Sequence, residues 1–304
     1  MKAAKSWWFV AGFCFVLAFA SDAQTLTIAP AVEVTFDTVT NRFYRVEIAS
    51  SLTSHQWKAI TPTLWGTGAL LKQSVRLEDS AQFFRVREYD LTNQLAGYFP
   101  FDGAAFNEGR FDWSTDVAYG IATSFRNSRF GTPHHAAEVT ADYGYEYPVR
   151  VTLQRFALST NDFTISVWMA SPLRPRWPGD QPPFGDLIST HSYNLALMAT
   201  NSDGSVELFL GGKTNSILKS KPLNWERDRW YYFVLEREKN VLSVYRDMEL
   251  IGQAQSTRAL NPDSSRIIIE IFFGWPDTKV DEARFHNRAL SFEELVAVSE
   301  VAER

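Results

Sequence analysis

Apolar and polar residues alternate with a period of two along most of the chain. In Phe43-Tyr44-Arg45-Val46-Glu47-Ile48, the apolar Tyr44, Val46 and Ile48 alternate with Arg45 and Glu47. That is the pattern of a strand with one buried face. Phe83-Phe84-Arg85-Val86-Arg87 repeats it. The same signal predicts a first block of strands at Val32–Phe36, Phe43–Ala49, Leu70–Leu77 and Gln82–Arg87. Turns rich in Ser, Thr and Gly separate them, and short strands with such punctuation imply a small sandwich. A second block begins near Leu95. Its predicted strands are Leu95–Phe101, Val149–Leu153, Phe163–Ala170, Asp186–Thr190, Tyr193–Ala199, Val206–Leu210, Trp230–Arg237, Val241–Arg246, Leu250–Ala254, Arg266–Phe273 and Lys279–His286. One helix closes it: Ser291 caps, Glu294 completes a capping box, and Phe292, Leu295, Val296 and Val298 give an apolar side. Many strands and one short helix make the chain all-β.

The beginning reads differently. Lys2 and Lys5 precede an apolar run from Trp7 to Ala20, and small-residue sites follow at Ala18-Phe19-Ala20 and Ser21-Asp22-Ala23. This is the pattern of a cleavable export signal, and the run is too short to span a bilayer as a helix. The expected organisation is residues 1–23 signal peptide, 24–92 small β-sandwich, and 93–304 a large β domain. The expected location is secreted, periplasmic or cell-surface, with no membrane span after cleavage.

Composition narrows the chemistry. The one cysteine, Cys14, lies in the leader, so the mature chain has neither disulfide nor thiol chemistry. A formal charge of −5 argues against nucleic acid as a partner. Ten Trp and 23 Phe suit an aromatic β core.

Five stretches of the second block follow one another in an informative order. They are Leu95–Gly103 (L-A-G-Y-F-P-F-D-G), Asp162–Trp168 (D-F-T-I-S-V-W), Trp230–Val234 (W-Y-Y-F-V), Val244–Asp247 (V-Y-R-D) and Val280–Ser291 (V-D-E-A-R-F-H-N-R-A-L-S). Together they resemble the laminin-G-like, concanavalin-A-like jelly-roll family, from Leu95 to about Val298. The resemblance implies a concanavalin-A-like jelly-roll sandwich. It does not imply one activity, because such sandwiches host lectins, adhesion modules, hydrolases and lyases. The family's hairpin carries Asp-Gly where this chain has Asp247-Met248. A tight type I′ turn favours glycine there, so a different or longer turn is expected. The first block is similar to a fibronectin-III-like module of exported bacterial proteins, on Tyr44-Arg45-Val46, Ser50–Thr53 with Trp57, Gly66–Gly68 and Phe83–Val86. That resemblance implies a spacer or docking unit.

The jelly-roll resemblance also implies a structural Ca²⁺ where the first and last strands meet. The matching residues are Asp102 and Asp281, and oxygen ligands suit that ion. The alternative readings are a turn at Asp102 and a surface ion pair at Asp281; Asn107 and Glu108 are further candidate ligands. His134-His135 is the one histidine pair, and neighbours on a strand point apart, so a loop is expected. For ligand binding, the Pro-rich segment Pro172–Pro183 offers Arg174 and Trp177, and Trp275 is a second aromatic candidate; the alternative reading is that each Trp pins its loop to the sandwich. Trp168, Trp225 and Trp230 are expected in the core. No Glu-x-Asp-x-x-Glu run is present. Glu236-Arg237-Glu238 comes nearest and reads as a solvated turn.

The expectation is a secreted, non-catalytic binding protein that recognises a glycan or an extracellular protein through the jelly roll. Its alternatives are a carbohydrate-active hydrolase or lyase on the same sandwich, and a purely structural surface or adhesion component.

Overall fold

A computed structural model of the chain describes residues 31–40, 42–51, 57–76, 83–101, 123–139, 149–154, 156, 158–171, 185–190, 195–210, 213–260, 268–274 and 278–301. The first block contributes β1 (Ala31–Asp37), β2 (Phe43–Ala49), β3 (Lys58–Ala59), β4 (Leu64–Trp65), β5 (Leu70–Arg76) and β6 (Phe83–Tyr89). The second opens with β7 (Leu95–Phe99), β8 (Thr123–Arg126), β9 (Ala136–Val139), β10 (Val149–Gln154), β11 (Phe163–Ala170), β12 (Asp186–Thr190) and β13 (Leu195–Thr200). It continues with β14 (Val206–Phe209), β15 (Ser216–Lys219), β16 (Trp230–Glu238), β17 (Val241–Arg246), β18 (Glu249–Gln255), β19 (Ile268–Phe273) and β20 (Lys279–His286), and ends in α1 (Phe292–Ser299).

Two antiparallel sheets form the second block. One has six strands in the order β10-β19-β12-β13-β14-β15. The other has eight: β18-β17-β16-β11-β20-β9-β8, with β7 also paired to β20. The inward positions of both sheets meet in one apolar core that includes Phe99, Phe101, Val151, Phe163, Ile165, Phe233, Leu235, Phe273 and Phe285. Gly97 lets β7 approach this core. A Cβ there would lie 2.4 Å from a Leu153 methyl, so a larger residue would force the Leu153 side chain to move.

The large sheet is buried on its outer face as well, and β16 shows it. Seven consecutive residues from Tyr231 to Arg237 are buried. Tyr232 and Val234 point away from the main core into a second cluster with Phe43, Tyr89, Leu91, Leu290, Leu295, Ala297, Val298 and Val301. The first block and α1 therefore share an apolar layer on the back of the sheet.

Polar contacts fix this docking. Arg45 pairs with Glu300 at 2.5 Å, Arg87 pairs with Glu293, and the Thr63 amide donates to the Glu300 carbonyl at 3.0 Å. The half-buried alternation expected for β2 needs correction on this account. Arg45 and Glu47 are each 5 % exposed, because Glu300 and Arg85 meet them on the polar side. Among the described residues, the first block is a β1–β5 ribbon and a four-stranded sheet of β3-β2-β4 with β6 on β2.

The hairpin β17–β18 also departs from expectation. Only Asp247 and Met248 connect the strands, so the turn is the tight two-residue form and not a longer one. Both take left-handed φ, 52° and 66°. Met248 tolerates this uncommon conformation while its side chain packs on the second cluster, and Asp247 accepts the Tyr232 amide at 2.9 Å. The capping box of α1 forms as the sequence predicts, with Ser291 and Glu294 reciprocally bonded.

Candidate functional site

Where the docked elements end, the outer face of the large sheet lies open over β16, β17 and β18. Register decides which side chains meet there. Glu236 stands opposite Ser243 and Ser243 opposite Gln253; Glu238 stands opposite Val241 and Val241 opposite Gln255. Strand alternation sends Leu235, Leu242 and Val244 into the core and this polar set outward. With Tyr245 and Ala254 the set lines a groove of about 430 Å³.

Glu236 is the buried end of the groove. Its Oε1 accepts the Leu290 amide at 3.0 Å and the Thr164 hydroxyl at 3.3 Å. Burial raises its carboxyl to about 7, the two hydrogen bonds oppose the rise, and the charges of Glu238 and Asp162 add to it. Glu238, two residues on, is exposed. Gln253 donates to the Ser243 hydroxyl at 3.0 Å. The Tyr245 phenol is pushed up, first by burial and then by the Glu236 charge. The partly buried Tyr245 packs on the second apolar cluster, which fixes its place on the groove wall.

The solvated turn expected at Glu236-Arg237-Glu238 is thus a correction. The triplet lies within β16. Arg237 is fully buried on the other face, where it donates to the Ser256 and Arg258 carbonyls at 2.9 and 2.6 Å. Glu236, Tyr245 and Gln253 escaped the sequence reading. The available signal was the alternation Tyr232, Val234, Glu236, Glu238, two apolar residues and then two acids on one strand face.

A second polar group, largely buried, meets the C-terminal end of α1. The Tyr98 hydroxyl donates to both Glu282 oxygens at 3.0 Å, Glu282 pairs with Arg284, and the Arg284 guanidinium lies 4.2 Å over the Tyr98 ring. Arg129 donates to the Ser299 and Val301 carbonyls at 3.1 and 2.6 Å and covers Trp168 at 4.6 Å. Asp281 belongs here. It is 2 % exposed, and its charge supports the Arg129 cation. The opening strand β7 does run beside the closing strand β20.

Asp102, Arg174, Trp177 and Trp275 lie outside the described residues, as do Asn107 and Glu108. Among the described residues no three His, Cys, Asp or Glu side chains gather to hold a metal ion. His134 and His135 stand in the β8–β9 connection. Trp168, Trp225 and Trp230 are each half-buried, and the first two pack against the apolar clusters.

The profile of the Laminin_G_3 family, in the concanavalin A-like lectin/glucanases superfamily, matches residues 148–296. This segment belongs to that superfamily. All three groove strands fall inside it, whereas the Leu95–Gly103 stretch precedes it. Among solved structures, the binding domain of botulinum neurotoxin serotype D is 10% identical with a TM-score of 0.48, over 69% of this chain and 51% of that one. A botulinum neurotoxin type C structure, whose cell entry depends on two ganglioside molecules, is 8% identical at 0.49, over 70% and 53%. A Trypanosoma rangeli sialidase is 16% identical at 0.46, over 68% and 32%. The chain thus spans about half the length of the toxin domains it matches. No curated protein matches the chain.

Proposed function

We propose that the chain is an exported glycan-binding protein and that the groove over β16–β18 is its binding site. The observation that carries this is the placement of Tyr245 beside the rung Glu236–Ser243–Gln253. A sugar offers adjacent hydroxyls and an apolar face. Amide, carboxylate and hydroxyl groups on one flat surface give matched donors and acceptors, and a tyrosine ring gives the apolar contact. A glycan array with purified mature protein tests it. Gln253→Ala, at an exposed position, should weaken binding about tenfold through loss of a hydrogen-bonding amide. Retention of full affinity would place the site elsewhere, for instance around Arg174, Trp177 or Trp275.

One observation favours a second reading, a glycoside hydrolase. Glu236 and Glu238 face one groove from alternate positions of one strand, and Glu236 holds its proton to about pH 7. A carboxyl that holds its proton beside a second carboxyl group is the pairing that glycoside hydrolysis uses. Release of reducing ends from a glycan that binds, lost in Glu236→Gln, would establish it. Binding without product would leave the protein a binder.

Export and calcium belong to the same proposal. N-terminal sequencing of the exported protein should find a start at Ser21 or Gln24. Calcium at Asp281 would have to compete with the cation of Arg129, with which that carboxylate interacts.

A further inference from the structure

Every titratable side chain among the described residues that line the groove is an acid or a phenol: Glu236, Glu238 and Tyr245. The remaining polar lining, Ser243, Gln253 and Gln255, is neutral. Two nearby cations are turned away or occupied, and the exposed Lys239 follows Glu238 without lining the groove. Arg237 shares the strand with both glutamates, yet its guanidinium donates to carbonyls on the opposite face. Arg288, close to the Leu290 amide that Glu236 accepts, is bound to Glu294 at 2.7 and 2.9 Å. Asp162 adds a further negative charge near Glu236. The Glu236 partners themselves are an amide and a hydroxyl, so its charge meets no counter-ion.

We infer that the groove selects glycans without anionic groups and rejects acidic ones. This rests on the glycan-binding reading above and adds the substrate class to it. A carboxylate only accepts hydrogen bonds, so it pairs with the hydroxyl donors that any sugar offers and repels a further anion. A uronate, sialate or sulfate would bring a second anion beside Glu238 with no cation among the described lining residues to receive it. Like charges set against each other at an interface are a strong device of exclusion.

The test pairs ligands that differ in charge alone. Oligogalacturonate and its methyl ester share a backbone, and they join neutral gluco-, xylo- and manno-oligosaccharides, sialyl-lactose and a sulfated oligosaccharide in one panel. Titrations run in chelator, so that calcium cannot bridge two carboxylates. The neutral member of a pair should bind about tenfold or more tightly than the acidic one. Glu238→Gln should narrow that gap, and Glu238→Lys should close or reverse it. Binding of acidic members as tightly as neutral ones by the wild-type protein overturns the inference and leaves the glycan reading intact. If no member of the panel binds, the reading beneath it fails, and the inference with it.

Discussion

Replacing Glu236 by Gln should stabilise the protein at alkaline pH and leave it unchanged in acid. The carboxyl titrates at about 7 in the folded chain, against an ordinary value of 4.5. Its proton is therefore held more tightly folded than unfolded. The stabilisation this gives is complete below pH 4.5, is lost as pH rises through 7, and is absent above. One pKa unit corresponds to about 1.4 kcal/mol. Ionised Glu236 thus costs the fold about 3 kcal/mol at pH 8. Glutamine keeps an oxygen for the Leu290 amide and carries no charge, so it removes this cost. The figure is an upper one, since bonds to a neutral oxygen are weaker than bonds to a carboxylate. Urea unfolding at pH 4 and pH 8 measures it, given cooperative transitions. At pH 8 the variant should gain roughly 6–12 °C in melting temperature, and at pH 4 nothing. A pH-independent difference, or a variant weaker at pH 8, would refute the account of a buried and uncompensated carboxyl.

Three further outcomes are expected. His286 is fully buried, its Nε2 bonds the Leu91 carbonyl at 2.8 Å, and burial depresses its pKa from 6.5 to about 3. Its contribution is present above pH 6.5 and lost as pH falls toward 3, so in the Glu236→Gln background urea unfolding should show a loss of about 3 kcal/mol between pH 6.5 and 4. A truncation starting at Thr92 keeps the jelly-roll core but strips Phe43, Tyr89 and Leu91 from the second cluster. It should still unfold cooperatively, with a melting temperature lower by about 10 °C, and an unchanged temperature would show that the shared layer contributes little. If Ca²⁺ binds at Asp281, a concentration about 100-fold above Kd should add about 2.7 kcal/mol, an effect abolished by chelator and by Asp281→Ala; superimposed melting curves would remove calcium from the picture.

The sequence announced its long strands and hid its tertiary contacts. The bounds of β2, β11, β12, β17 and β20 follow directly from alternation and motif, and α1 from its capping box. The two-residue strands β3 and β4 carry too few positions to show a period, and β8, β9 and β15, with four each, show it weakly. Arg45 looked like a solvent-facing residue because its partner Glu300 lies 255 positions away. No local pattern encodes that pairing. Tyr232 and Val234 did hold a clue: apolar residues on the supposed solvent face of β16 mark a strand covered on both sides. With that reading, Glu236 ceases to be part of a turn. The groove itself depends on the register of β16, β17 and β18, which becomes visible only once the strands are paired.

The position of β20 bears on how the chain comes to be folded. It lies inside the large sheet, between β11 and β9 and beside β7, yet it comes more than 100 residues after each of them in the chain. The helix that completes the first block's packing is later still. Contacts of such long sequence separation slow folding, because the intervening chain must be ordered before they form. Until β20 and α1 are in place, neither block can bury its apolar surface completely. Pairing of β20 and docking of α1 would then close both blocks in one step.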